Sequence, residues 1–347
     1  MNNSATDNFR NRIIGIYGFL AIANLGAWVW AIVSFHEKPI LLGTAFLAYT
    51  FGLRHAVDAD HIAAIDNVTR KFMQDGRRPV SVGFYFAFGH STIVLLAACV
   101  AYWTASMAEK HFEFLKNVGS IIGTCVSVFF LFAIALMNLL ILRSVYRAFK
   151  QASLGVSDPQ QNADVFKGGG ILARLLGPLF ELLSHPWQMF PIGLLFGLGF
   201  ETATEVALLG TSASAASKGV SLQEVMVFPA LFTAGMTLID TTDGILMLGA
   251  YGWAFLKPIR KLYYNLTITF VSVLVALIVG GVEALGLFKD QFNLSGGAWD
   301  FFGMLNDNFG TLGFVIIGVF ILSWIVSIIF YRAKGYDRLE STGIAAN

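Results

Sequence analysis

Eight stretches of the chain are apolar over about 20 residues or more: 13–35, 40–66, 80–107, 117–142, 188–213, 224–256, 262–288 and 310–331. At about 1.5 Å per residue, a helix of that length matches the roughly 30 Å hydrocarbon core of a bilayer. Within lipid each backbone polar group must be paired inside its own segment, so such runs fold as helices. The expected fold is all-α: a polytopic integral membrane protein with eight transmembrane helices. The composition agrees. Of 347 residues, 56% are hydrophobic and 13% charged, and the mean hydropathy is +0.67, whereas soluble domains are about 25% charged. The surrounding partner is membrane lipid. A net charge of +1 gives no reason to invoke nucleic acid. Cys99 and Cys125 both fall inside apolar runs and imply no disulfide framework. The first run follows Arg10 and Arg12, but it is too long for a signal-peptide core and lacks a small-residue cleavage site, so it reads as a retained helix.

Lysine and arginine set the orientation. With the N-terminus placed in the cytoplasm, seventeen of them fall in the inner segments and five (Lys38, Lys110, Lys116, Lys218 and Lys289) in the outer loops. Arg54, inside a span, completes the 23. Both termini are therefore expected in the cytoplasm. The chain divides into a first half, 1–150 with helices 1–4, and a second half, 188–347 with helices 5–8, within one transmembrane domain spanning 1–347. The connecting segment 151–187 begins polar and glycine-rich, "SLGVSDPQQNADVFKGGG", and reads as a cytoplasmic loop. Its continuation, "ILARLLGPLFELLSH", is amphipathic and suited to the membrane surface.

A charged side chain at bilayer depth costs about 2.5–3.5 kcal/mol on insertion scales. Even so, the second span carries Arg54, His55, Asp58, Asp60, His61 and Asp66 within 54–66. The third carries His90 in "FAFGHSTIV", the fifth Glu201 and Glu205 in "LGFETATEV", and the sixth Asp240 and Asp243 in "GMTLIDTTDG". Glu283 lies near the outer end of the seventh. Arg54 alone cannot neutralise so many carboxylates, and a bound cation completes the balance. Imidazoles with carboxylates suit nickel, cobalt, zinc or copper, whereas an all-oxygen set would suit magnesium or calcium.

On a regular helix at about 100° per residue, with His55 at zero, Asp58 falls near −60°, His61 near −120° and Asp60 near +140°. His55, Asp58 and His61 share one face and could meet on one ion; Asp60 could join them only if the helix is unwound. Broken helices of that kind occur at transporter sites. Glu201 and Glu205 are four residues apart and Asp240 and Asp243 three apart, so each pair can point inward together.

The halves echo each other. "FGLRHAVDADHIAA" (51–64) matches "FGLGFETATEVALL" (196–209) at the Phe-Gly-Leu start, and "ADHIA" (59–63) lies over "ATEVA" (203–207) after a one-residue gap. Gly89 lies 146 residues before Gly235. We expect a degenerate repeat of about 145 residues relating helices 2–4 to helices 5–7. It is inverted in topology, because the second and fifth spans run in opposite directions. Such repeats hold substrate near the midplane, at their interface.

These motifs resemble the nickel/cobalt permease family, often called NiCoT. The family's signature on the second helix, His, four residues, Asp, His, appears as His55, Asp60 and His61. Its other signatures correspond to "FGHST" with His90, "LGFETATEV" with Glu201 and Glu205, and "GMTLIDTTDG" with Asp240 and Asp243. The third motif usually carries Asp where this chain has Glu201. The resemblance implies high-affinity uptake of Ni²⁺, Co²⁺ or both across a bacterial cytoplasmic (inner) membrane, by a secondary permease with no ATPase subunit. It implies no enzyme activity and no cofactor beyond the transported ion. The expected metal ligands are His55, Asp58, Asp60 and His61. Ideal-helix geometry favours Asp58 over Asp60 and the family motif the reverse, so one aspartate meets the ion and the other bonds a histidine nitrogen or Arg54. Arg54, His90, Glu201, Glu205, Asp240 and Asp243 are expected along the path or behind the ligands. Efflux of the same metals, or carriage of another divalent transition metal, is the alternative. The related exporters are expected to carry a histidine-rich cytoplasmic loop, and 151–187 holds only His185. A membrane metallohydrolase is disfavoured by the lack of an H-E-x-x-H motif.

Overall fold

The apolar runs fold as helices, and no strand occurs among the described residues. A computed structural model describes residues 3–104, 109–153, 183–199, 203–254 and 258–333. In chain order the helices are α1 (Asn3–Phe35), α2 (Pro39–His55), α3 (Ala59–Gln74), α4 (Val82–Thr104) and α5 (Glu109–Ser153), then α6 (Met189–Phe196), α7 (Ala203–Ser217), α8 (Val227–Ala254), α9 (Pro258–Phe292), α10 (Ala298–Asp307) and α11 (Phe309–Ala333). A 3₁₀ turn, Pro186–Gln188, leads into α6 and a short helix, Leu222–Val225, into α8. The amphipathic stretch of the connecting segment lies outside the described residues except for its last three.

Six helices are long and apolar enough to cross a bilayer, and up to seven crossings result when the bent pair α2–α3 is taken as one. Two expected spans are thus not single helices. The second breaks after His55 and resumes at Ala59 with a bend of 51°. The fifth falls on α6 and α7, of 8 and 15 residues, each short of the roughly 20 needed to span. Eight crossings require α6 and α7 to act together as α2 and α3 do.

The α2–α3 break has a local cause. The amides of Val57 and Asp58 turn back to Arg54 O and His55 O, which closes α2 tightly. Asp58 is then extended (φ −65°, ψ 148°) and starts α3 as its N-cap residue. Aspartate is favoured there because its carboxylate can accept from the first free amides. Here the side chain makes no such cap bond; it is directed to His55 instead.

Packing exposes the repeat more sharply than the sequence does. A Cβ at Gly52 (α2) would overlap the backbone of Phe232 (α8), and one at Gly193 (α6) would overlap that of Phe86 (α4). Gly235 presses on Tyr49 and Leu53, while Gly89 presses on Phe190 and Leu194. These glycine contacts of α2 with α8 therefore have counterparts between α6 and α4. The packing counterpart of Gly52 is Gly193, one helical turn before the Gly197 that the Phe-Gly-Leu letters select. The ends follow the same rule: His55 closes α2 as Phe196 closes α6, and Ala59 opens α3 as Ala203 opens α7.

The two contacts run in opposite senses. Lys38, just before α2, pairs with Glu224, just before α8, at 2.5 Å. At the other end, Lys71 donates to Leu183 O at 2.7 Å and Arg77 to Ser184 O, which joins the approaches to α4 and α6. α5 packs along α9, and α1 and α11 lie at the periphery with large apolar side chains facing outward, among them Ile22 and Leu322, 72% and 62% exposed. That surface suits lipid. Cys99 and Cys125 are both free thiols.

Candidate metal site

The break between α2 and α3 falls inside the charged stretch of the second span. With the helix interrupted at 56–58, His55 from the end of α2 and His61 from the first turn of α3 turn toward each other, and His90 from α4 joins them. The ring centroids lie 4.7 Å (His55–His61), 4.9 Å (His55–His90) and 4.8 Å (His61–His90) apart, nearly an equilateral triangle. All three are at least 98% buried. Each offers a ring nitrogen, and these atoms lie within 4.8 Å of one another; among the described residues this is the only such group of three. Two nitrogens on opposite sides of one ion, each about 2.1 Å from it, are about 4.2 Å apart, so the widest pair needs to close by only a fraction of an ångström.

The second half supplies carboxylates to this cluster. Glu205, from the first turn of α7 and fully buried, places Oε1 2.9 Å from His90 Nε2 and 3.7 Å from His55 Nε2. His55 Nε2 and His90 Nε2 are 3.0 Å apart. Two nitrogens and an oxygen thus form a small triangle with the spacing of ligands that share an ion. Opposite, Asp240 of α8 lies 3.1 Å from His61 Nδ1, while His61 Nε2 is buried with no hydrogen-bond partner. Asp58 Oδ2 lies 2.8 Å from His55 Nδ1, and Thr204 Oγ1 lies 3.5 Å from the same nitrogen. A carboxylate accepting from Nδ1–H fixes the tautomer and turns the Nε2 lone pair to the cluster. His55–Asp58 and His61–Asp240 both have this form.

The remaining sequence-predicted residues fall around the cluster. Asp60 shares a cavity of about 40 Å³ with His55 and His90, and its Oδ1 is buried with no hydrogen-bond partner. Arg54 is exposed at the end of α2, and both it and Asp58 approach Gly310 at the start of α11. Asp243 lies one helical turn after Asp240, with Oδ2 buried and without a hydrogen-bond partner. Glu201 lies outside the described residues. The sequence placed His90 and Glu205 along the path or behind the ligands; the fold brings both into the group facing His55 and His61. It gave no role to Thr204, whose hydroxyl nothing in the local sequence distinguishes from other small polar residues. Nor did it assign one to Glu283, whose buried charge in the seventh span was the available signal.

The arrangement is a buried cluster of borderline nitrogen donors with one or more carboxylate oxygens, contributed by α2, α3, α4, α7 and α8. Such a donor set suits a divalent transition metal, and its position between two broken helices suits a transported ion more than a fixed structural one.

Comparisons with known proteins agree. Residues 41–330 match the family model for NicO, the high-affinity nickel-transport protein. The chain is 55% identical to the high-affinity nickel transport protein of Cupriavidus necator, over 97% of this chain and 96% of that one. It is 40% identical to the nickel transporter NixA of Staphylococcus aureus, over 96% and 98% of the two chains, and 39% identical to the cobalt transport protein NhlF of Rhodococcus rhodochrous, over 94% of each. No solved structure matches. With both the match and the relatives extending over nearly its whole length, this multi-pass membrane protein belongs to the NicO family of high-affinity nickel-transport proteins.

Proposed function

We propose that the protein is a permease, not an enzyme, that takes up Ni²⁺, Co²⁺ or both across a bacterial inner membrane, with both termini in the cytoplasm. The single observation that carries this reading is the set of three buried imidazoles, on α2, α3 and α4 of the first half, facing the Glu205 carboxylate of the second. His55, His61 and His90 hold the ion, Glu205 contributes an oxygen, and Asp58 and Asp240 orient two of the rings. Asp60 hands the ion between the cavity and the cluster, while Glu201 and Asp243 extend the path and Arg54 balances Asp58. The excess of Lys and Arg in the inner segments supports the orientation. Rocking of one half of the single transmembrane domain against the other exposes the site to each side in turn.

No ATPase subunit is required. A membrane potential of about 100 mV is worth roughly 2.3 kcal/mol per charge, hence about 4.6 kcal/mol for a divalent ion, or about three decades of accumulation. The test is competitive uptake of radiolabelled Ni²⁺ and Co²⁺ by cells expressing the protein, with and without collapse of the potential. Saturable uptake that falls when the potential is removed is expected. Loss of preloaded metal from the cells, with no uptake, would establish the opposite direction.

A further inference from the structure

The cavity beside the histidines continues away from them. Its far wall is made by Thr124 and Ser127 in the first half of α5, Glu283 in the last third of α9, and Asn306 of α10. These are the chain ends that the Lys and Arg distribution assigns to the outside. Ser127 Oγ donates to Glu283 Oε2 at 2.7 Å, and the two residues are 4% and 6% exposed. Two of the side chains lining the cavity, Asp60 and Glu283, are carboxylates, and none is Lys or Arg. A carboxylate in such surroundings is costly unless a cation or hydrogen bonds compensate it. Two polar atoms of the near wall's residues have no hydrogen-bond partner: Asp60 Oδ1 and, on the 98% buried His90, Nδ1. The cavity is narrow, about 40 Å³, and an ion that enters it meets carboxylate, hydroxyl and amide groups on its wall.

We propose that Glu283, with Ser127, Thr124 and Asn306 around it and Asp60 facing it, is an oxygen-donor acceptor site for the divalent transition-metal ion. The incoming cation sheds part of its hydration shell there before it meets the imidazoles. The inference rests on the uptake reading above. Oxygen donors exchange readily with water, whereas imidazoles hold these metals more tightly. A weak site followed by a strong one therefore captures the ion without adding a second deep well.

Glu283→Gln tests this, because glutamine keeps an acceptor for Ser127 and nearly the same volume while removing the charge. The expected result is a KM for Ni²⁺ uptake raised by about tenfold or more, since a cleft of one charge sign raises capture rates by about 10–10³. Maximal rate and equilibrium binding by the purified protein should be little changed, and Glu283→Asp should recover part of the loss. An unchanged KM in Glu283→Gln would mean that this carboxylate only ties α5 to α9, and would overturn the proposal. A second measurement is independent of transport. In a Cys99→Ala, Cys125→Ala background, Thr124→Cys should be modified by a membrane-impermeant thiol reagent added outside, and Ni²⁺ should protect it. Modification without protection, or none from outside, also overturns the proposal. If the wild type shows neither uptake nor metal binding, it is the transport reading that fails; the protection result still decides whether the chamber accepts the ion.

Discussion

The two broken helices use one backbone device for two chemistries. α2–α3 and α6–α7 occupy corresponding places in the repeat, and each is held by the same pattern of glycine contacts, Gly52 on Phe232 and Gly193 on Phe86. Around the first break stand His55, Asp58 and His61; the second helix of the other pair brings Glu205. Imidazole binds borderline metals more strongly than carboxylate. On the proposed reading the first half sets affinity, and the second adds charge through Glu205 and orients His61 through Asp240. The repeat places the donors, and the difference between the halves decides what each donor does.

The largest test of that division removes an imidazole. His55→Ala or His61→Ala should abolish uptake while the protein stays in the membrane, because each takes away a nitrogen that no neighbour can replace. Tracer uptake at matched expression checks it, and near-normal transport by either variant would remove the first half from its leading role.

Substitutions behind the rings should act more mildly. Asp58→Asn and Asp240→Asn each replace a carboxylate that accepts from a histidine Nδ1, a change that typically costs about 10–100-fold in metal affinity. Equilibrium binding by purified protein is the measurement. The paired expectation sharpens the comparison, since one aspartate comes from each half yet both should weaken binding alike. Asp60→Asn, by contrast, should slow entry more than it weakens binding. Equal losses of affinity at Asp58 and Asp60 would mean that both aspartates touch the ion.

Much of this was legible in one dimension. Ionisable residues inside apolar runs stand out because lipid penalises them, whereas the angle that set Asp60 apart from His55 and His61 required an interrupted helix only if Asp60 met the ion, and left the break itself open. Contacts between spans were not legible. Nothing in "FGHST" says that His90 meets His55 rather than lining a more distant stretch. Glu205 approaches two ring nitrogens only because α7 packs on α2 and α4. The repeat register also escaped, for a physical reason. Glycines one helical turn apart lie on the same face, so Gly193 and Gly197 are both plausible partners for Gly52 until the opposing backbone is known.

That register gives a smaller, structural prediction. Gly52→Ala and Gly193→Ala should each destabilise the protein by about 1–3 kcal/mol, the usual cost of overpacking, and by similar amounts, because each sets a methyl group against a facing backbone. Thermal unfolding in detergent reads the effect. A large loss at Gly52 with none at Gly193 would break the equivalence of the α2–α8 and α6–α4 contacts.

The smallest effect is expected at Glu201, where the chain departs from the pattern it otherwise resembles. Glu201 precedes Glu205 by four residues and carries one methylene more than the aspartate usual at that position. If its part is to place negative charge along the path, the charge matters more than the reach. Glu201→Asp should then transport within about twofold of the wild type, less than the about 10–100-fold that losing a supporting group costs. Glu201→Gln, isosteric but neutral, should slow initial uptake while binding at the histidines is largely retained. Initial rates and equilibrium binding measured on both variants separate the cases. Loss of binding in Glu201→Gln, with binding preserved in His61→Ala, would reverse the comparison and put the deeper well on the second half.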